Sequence, residues 1–357
     1  MKAEFSAKRI TNIVATVPSR VCRFEDDMRH YDFSEAKSRR LAATMGFDEH
    51  RIAPEGMTSS DLCEFGFRHL VSRGLDPLSV DALIFVSHTP DHVLPPTSSI
   101  LHGKLGLRED CYCVDINHGC AGYIVALHQA AMLLETSGCK RVVVFAGDTL
   151  SKHVNKRDRN SYPVVGDAGS VSIIENSETG MHWKFDIRNR GSDAQALIIP
   201  AGGSRLPRSS ATSIVQDQGD GNHRSLDELT MQGTSVFAFV QAEIPVLVQS
   251  LLDDAQLNRD DIDKYIFHQP NRFMLEKLAD KIAVPRDKVP NNIVEKYGNS
   301  NSATIPLTLV HNLGSTQASE STLKLLLSGF GVGLTWGGVI IDFDVPYMKL
   351  LEMNLEG

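Results

Sequence analysis

The chain has 357 residues, 42 % of them apolar and 22 % charged, with a net charge of −8. These are the proportions of a soluble globular protein large enough for one extended core or two fused ones. The acidic balance argues against non-specific nucleic-acid binding, which needs a broad positive surface. No stretch is expected to approach the roughly 20 apolar residues of a membrane span. The first residues lack the apolar core of a secretory signal, and six cysteines without a CxxC pair suggest neither a disulfide framework nor zinc. A reduced, cytoplasmic compartment is expected.

In chain order, the first clear strand ends at Phe85. Alternating Tyr112, Val114 and Ile116 predict another, and the nearly uncharged run Ala121 to Leu134 predicts a buried helix. Cys120 lies between them, at a strand-to-helix turn where the positive end of the helix dipole and unpaired N–H groups gather. Both effects are expected to lower a thiol pKa from its free value of about 8.5. Gly119 and Gly122 let a substrate approach the sulfur closely. Cys120 is therefore a candidate nucleophile, an inert buried cysteine being the other reading. Cys111 and Cys113 share a strand face and read as core.

A strand from Arg141 to Ala146 ends at Gly147, and Gly202 to Asn222, rich in Gly, Ser and Arg, reads as a mobile loop or lid. Further on, Tyr265-Ile266-Phe267 runs into His268-Gln269-Pro270-Asn271. Pro270 stops the strand, leaving His268 at its carboxyl end, where α/β sheets place function. The helix that follows carries Arg272, Lys277 and Lys281, with Glu276 and Asp280 interleaved: a basic face or an ordinary solvated one. Tyr297-Gly298-Asn299-Ser300-Asn301-Ser302-Ala303 leads into another apolar helix, its small polar residues also suiting N-caps. Gly329 to Trp336 is a glycine-rich turn between apolar strands, either a tight hairpin or a set of N–H groups facing an oxyanion.

The chain also repeats itself. Leu75–Phe85 resembles Leu257–Phe267 at an offset of 182 residues, and the same offset carries Cys120-Ala121-Gly122 onto Ser302-Ala303-Thr304 and Gly147 onto Gly329. Residues 1–178 and 179–357 thus read as two copies of one α/β unit, each with a strand-turn-helix, related by a pseudo-twofold. Sheets covered on both faces are expected. That symmetry would set Asn299 opposite Cys120 and close to His268.

Together these segments resemble the β-ketoacyl-ACP synthase III family of the thiolase-like superfamily. The most specific motifs are Cys120-Ala121-Gly122, His268-Gln269-Pro270-Asn271, Tyr297-Gly298-Asn299 and Gly329 to Trp336. Arg51-Ile52-Ala53, Asp158-Arg159, Gly166-Asp167-Ala168-Gly169 and Leu229 to Gly233 support them. The resemblance implies an α/β, thiolase-like, duplicated five-layer α/β/α/β/α fold, a homodimer, and a decarboxylative condensation that needs no metal or redox cofactor. Cys120 would take an acyl group from a thioester, normally acyl-CoA, with the backbone N–H groups of Cys120 and Val332 holding the oxyanion. Malonyl-ACP would then lose CO2, and His268 and Asn299 would donate hydrogen bonds to its enolate. An amide donates but is no base near neutral pH, so Asn299 favours condensation over transfer to an alcohol or amine.

The resemblance further implies CoA or substrate contacts from Arg159, Arg40, Asn271 and Leu94, and docking of acidic acyl carrier protein on Arg272, Lys277 and Lys281. Two departures stand out. Arg40 and Thr44 occupy the region where the family has a tryptophan stacked on the CoA adenine and a nearby arginine, so the priming donor could be acyl-ACP or an unusual CoA ester. Leu94 replaces a bulkier aromatic that closes the acyl pocket across the dimer, hinting at a differently shaped tunnel. The alternatives are an acyltransferase of specialised metabolism and a non-catalytic partner subunit of a heterodimeric synthase; a Cys-His hydrolase fits least.

Overall fold

A computed structural model describes residues 1–178, 182–219, 221–314, 322–344 and 346–354. The elements that frame the molecule are, in order, β1 (Lys2–Ser6), β2 (Lys8–Pro18), α1 (Glu35–Met45), α2 (Ser59–Ser72), β3 (Ala82–Val86), α3 (Thr97–Leu105), β4 (Tyr112–Ile116), α4 (Gly122–Leu133) and β5 (Arg141–Asp148). There follow β6 (Ala168–Asn176), β7 (His182–Asn189), α5 (Gly233–Ala255), β8 (Lys264–Phe267), α6 (Arg272–Lys281), α7 (Thr304–Leu313), β9 (Leu323–Gly331), β10 (Thr335–Phe343) and β11 (Tyr347–Met353).

One sheet has the order β11-β2-β6-β5-β3-β4 and the other β1-β7-β10-β9-β8. Strands such as β5 (RVVVFAGD) are apolar at successive positions because helices cover both faces. Helices α4 and α7 lie between the sheets and are buried almost all round, with Tyr123, Ile124, Leu127, Ile305, Leu307 and Leu309 in one shared core. On the outer face of the first sheet, α2 and α3 pack Phe67, Leu70 and Leu101 against Leu83, Phe85 and Val143. On the outer face of the second, α5 and α6 pack Ile244, Leu247, Leu275 and Leu278 against Tyr265, Leu326 and Ile340. The result is the five-layer α/β/α/β/α stack.

The duplication is visible in the strand order. The run β2-β6-β5-β3 and the run β7-β10-β9-β8 have the same neighbours and the same parallel and antiparallel directions. Helices α2 and α5, and α4 and α7, hold matching places. The expected strand-turn-helix is present only in the first copy. Where β4 would have its counterpart the chain makes one helical turn, Val294–Tyr297, because Ile293, Val294 and Tyr297 recur at a helical rather than an alternating period.

The terminal strands cross over: β1 pairs with β7 in the second sheet and β11 with β2 in the first. The boundary expected at 178/179 meets residues 179–181, which lie outside the described residues. Helix α5 corrects another expectation. At 23 residues it is long and apolar enough to cross a membrane. Here it is an outer-layer helix whose Val240, Ile244, Leu247 and Leu251 are buried at helical spacing against the second sheet. Residues 202–222 make an exposed loop with one short hairpin, Gln216–Asp217 with His223–Arg224; Asp220 lies outside the described residues.

Candidate active site

The turn between β4 and α4 places Cys120 two residues before the helix, 8 % exposed. The backbone N–H groups of Cys120 itself and of Val332 face its sulfur. Gly331 makes this approach possible, since a Cβ there would stand 2.7 Å from Sγ. Burial pushes the thiol up to about 12, the Asp148 carboxylate adds to the rise, and together they outweigh the two N–H groups. This reverses the expected lowering. A helix dipole carries only about half a charge at its end, and desolvation in a closed site is the larger effect. The resting group is therefore a neutral thiol, and it donates to Asn301 Oδ1 at 2.8 Å.

His268 continues from β8, its N–H donating to Ser328 O at 2.8 Å, and is 2 % exposed. Burial lowers its pKa to about 3, against a smaller opposing effect of the Asn301 carbonyl, so the ring is neutral at pH 7. Its Nδ1 lies 2.8 Å from Thr304 Oγ1. The Thr304 hydroxyl also reaches the Asn301 carbonyl at 2.9 Å. Nδ1 is thus engaged by Thr304, and Nε2 is the ring nitrogen left for the reaction. The ring also meets Phe330 edge-on at 5.5 Å.

The carboxamide on the sulfur is that of Asn301, where the pseudo-twofold argument had placed Asn299. Asn299 is zipped into the backbone beside it: its N–H donates to Val164 O, its C=O accepts from Gly166 N–H, and its Oδ1 accepts from Asn301 N–H at 2.9 Å. Asn301 adopts φ +55°, the left-handed region, and this turns its side chain to Cys120. Gly119 makes room, because a Cβ there would stand 2.5 Å from both Asn301 Oδ1 and Nδ2, and 2.4 Å from His88 Cδ2. His88 Nδ1 is 2.8 Å from Asn117 Oδ1.

Sequence reasoning missed Asp148. This fully buried carboxylate at the end of β5 accepts from the His88 N–H (2.7 Å), Ser87 Oγ (3.1 Å) and Ser302 Oγ (2.7 Å), stitching both copies together beside Cys120. Two supporting motifs also hold each other: Asp167 accepts from the Ala53 N–H at 2.8 Å and donates its own N–H to Arg51 O.

The remaining candidate residues lie apart from this cluster. Asn271 caps α6, accepting from the Met274 N–H at 2.8 Å. Arg272 is ion-paired with Glu295, which removes it from the expected basic face, while Lys277 and Lys281 are exposed. Arg40 and Thr44 are exposed on α1. Arg159 lies over the Phe33 ring at 4.6 Å. Leu94 is 82 % exposed beside Val93, 94 % exposed. Among the described residues no group of three or more His, Cys, Asp or Glu side chains is placed to hold a metal, and all six cysteines are free.

Two family models match the chain, that of 3-oxoacyl-[acyl-carrier-protein] synthase III over residues 114–191 and that of its C-terminal portion over 252–343. A Campylobacter jejuni protein provisionally named 3-oxoacyl-[acyl-carrier-protein] synthase 3 is 30 % identical over 98 % of both chains. A Synechocystis β-ketoacyl-[acyl-carrier-protein] synthase III is 30 % identical over 77 % of this chain and 80 % of its own. The crystal structure of a Burkholderia xenovorans 3-oxoacyl-(acyl-carrier protein) synthase superposes with a TM-score of 0.91, at 34 % identity over 99 % of both chains.

Proposed function

The chain is an acyl-transferring enzyme of the β-ketoacyl-ACP synthase III family, within the thiolase-like superfamily, and we propose that it condenses an acyl thioester with malonyl-ACP on Cys120. The observation that carries this reading is the buried sulfur facing the N–H groups of Cys120 and Val332, with His268 and a carboxamide joined to it through Thr304 and Asn301.

In the first half-reaction Cys120 attacks the thioester carbonyl. Its proton passes to His268 Nε2 and on to the departing thiolate, so a thiol leaves and a thioester forms on Cys120. The neutral ring suits this role, since its lone pair is free near pH 7. The N–H groups of Cys120 and Val332 hold the tetrahedral oxyanion; losing one such donor costs about 2.7–4 kcal/mol of barrier. In the second half-reaction malonyl-ACP loses CO2 and its enolate attacks the acyl carbon. The C–S bond to Cys120 breaks, and the sulfur recovers a proton from water. His268 and the carboxamides that follow Gly298 are the groups available to the enolate.

The Phe33–Arg159 pair offers an aromatic and a cationic face to the adenine of a CoA primer. Lys277 and Lys281 remain for the acidic carrier protein, Arg272 being occupied by Glu295. Val93 and Leu94 suit burial against a second copy, and a cytoplasmic homodimer acting in fatty-acid synthesis fits these features. The test is intact-protein mass spectrometry with a panel of acyl-CoA and acyl-ACP thioesters. Cys120 should gain one acyl mass, and malonyl-ACP should discharge it as a longer β-ketoacyl thioester. Discharge to a hydroxyl or amine acceptor in place of malonyl-ACP would move the assignment to simple acyl transfer.

A further inference from the structure

A buried acid–imidazole pair, Asp27 and His50, lies behind the asparagine turn and takes no part in the bond-making steps above. The short strand Glu49–Arg51 pairs with Val21–Arg23, and the helical turn Phe24–Asp27 that follows returns Asp27 to the ring. His50 Nε2 lies 2.9 Å from Asp27 Oδ2, and its Nδ1 lies 2.6 Å from the Val165 carbonyl. A carbonyl oxygen only accepts, so Nδ1 carries a hydrogen. Nε2 meets Asp27 through a second hydrogen, held on the ring or on the carboxyl. Either way the pair holds one proton more than a neutral imidazole and a carboxylate together, and it is uncharged as a whole, which suits burial. The Tyr162 ring meets the imidazole edge-on at 5.5 Å.

The carbonyl that His50 holds belongs to the segment that fixes the turn. Val165 pairs with Asn299 in a parallel bridge, flanked by the Asn299 N–H on Val164 O at 2.6 Å and the Gly166 N–H on Asn299 O at 3.0 Å. His50 also abuts the turn directly: a Cβ on Gly298, whose φ is +75°, would stand 2.9 Å from His50 Cβ. Asn299 Oδ1 in turn accepts from the Asn301 N–H at 2.9 Å, and Asn301 Oδ1 accepts from the Cys120 thiol at 2.8 Å. One line of contacts runs from Asp27 to the sulfur, and its first three members, Asp27, His50 and Val165, come from the first copy.

Building on the condensation reading, we propose that His50, its ring held by Asp27, is a positioning residue for the second half-reaction. It fixes the Val164–Gly166 backbone from behind, and so keeps the carboxamides after Gly298 in register with Cys120 while malonyl-ACP discharges the acyl group. Its hydrogen bonds end on backbone and on Asp27, so it touches neither substrate nor sulfur.

The experiment separates the two half-reactions. Asp27→Asn is the reference, because its amide N–H can donate to Nε2, leaves Nδ1–H on Val165 and strands no buried charge. In that background His50→Leu fills the volume of the ring and removes the bond to Val165, while His50→Asn sets an amide N–H where Nδ1 stood. Loading of Cys120 from a short-chain acyl-CoA is timed by intact mass, and a chain that takes up the acyl mass has folded. Malonyl-ACP is then added to the loaded protein and the β-ketoacyl product followed in a single turnover. Relative to the reference, the leucine variant should discharge about 10²-fold more slowly, the scale of an ångström's misplacement, with its loading rate within a few-fold. His50→Asn should recover most of that loss. Discharge of the leucine variant at the reference rate overturns the assignment. So does loading that falls as far as discharge, or an asparagine variant no faster than leucine; either leaves His50 a structural residue. A wild type that loads but gives no carbon–carbon bond overturns the condensation reading itself, and that result is read in the parent before any variant is compared.

Discussion

The two copies of the repeat place equivalent positions on either side of one seam, and their chemistry there is opposite. At the offset of 182 residues Gly119 answers to Asn301, Cys120 to Ser302, Val86 to His268 and Asp148 to Phe330. The first copy's turn is stripped of bulk around one buried sulfur. The second copy's turn is rich in hydrogen-bonding groups, yet its counterpart of Cys120 is spent on structure: Ser302 Oγ donates to Asp148 at 2.7 Å. Duplication supplied two similar addresses. One came to hold the buried sulfur, and the other became its polar surroundings.

Substitutions on each side of the seam should differ in kind. The largest effect is expected for Cys120→Ser, which should take up no acyl mass in intact-protein spectra and lose at least about 10³–10⁴-fold in turnover. Gly119→Ala should fold and still form some acyl-enzyme. Its new methyl drives the Asn301 carboxamide and His88 aside, and steady-state turnover should fall on the order of 10²-fold, the scale of an ångström's misplacement.

The raised thiol pKa gives a pH signature that tests burial against the helix dipole. With a thiol near 12, alkylation of Cys120 by iodoacetamide, followed site by site by mass spectrometry, should climb about tenfold per pH unit from pH 7 to 10 without levelling. A plateau near pH 8 would show that the dipole wins. The smallest effect belongs to Ser302→Ala. Asp148 keeps its other donors, so the variant should lose about 1–3 kcal/mol of stability in denaturant titrations while turnover stays within a few-fold of the parent.

Much of this was legible in the sequence, and the reasons for the exceptions are physical. The strand ending at Ile116, the turn and the uncharged helix located Cys120, because period and glycine placement are local properties. The repeat predicted two stacked copies, and the strand order shows them. Asn301 was hidden by its neighbour: two asparagines two residues apart look interchangeable until a positive φ turns one of them onto the sulfur. The direction of the thiol shift could not be read, because the degree of burial and the approach of Asp148 depend on strands far away in the chain. Asp148 itself ends an apolar strand and shows nothing of the five donors that converge on it, including the Ser302 N–H at 3.2 Å and Thr89 Oγ1 at 3.3 Å. Phe33 lies outside any motif and comes into view only as the partner of Arg159.

The exchanged terminal strands bind the fate of each copy to the other. Peeling Lys2–Ser6 away bares the edge strand His182–Asn189 of the sheet that carries the imidazole, and peeling Tyr347–Met353 bares Lys8–Pro18 in the sheet that carries the sulfur. A chain severed midway would yield two fragments, each missing an outer strand that the other holds. Mixed together, they have a template for finding one another again.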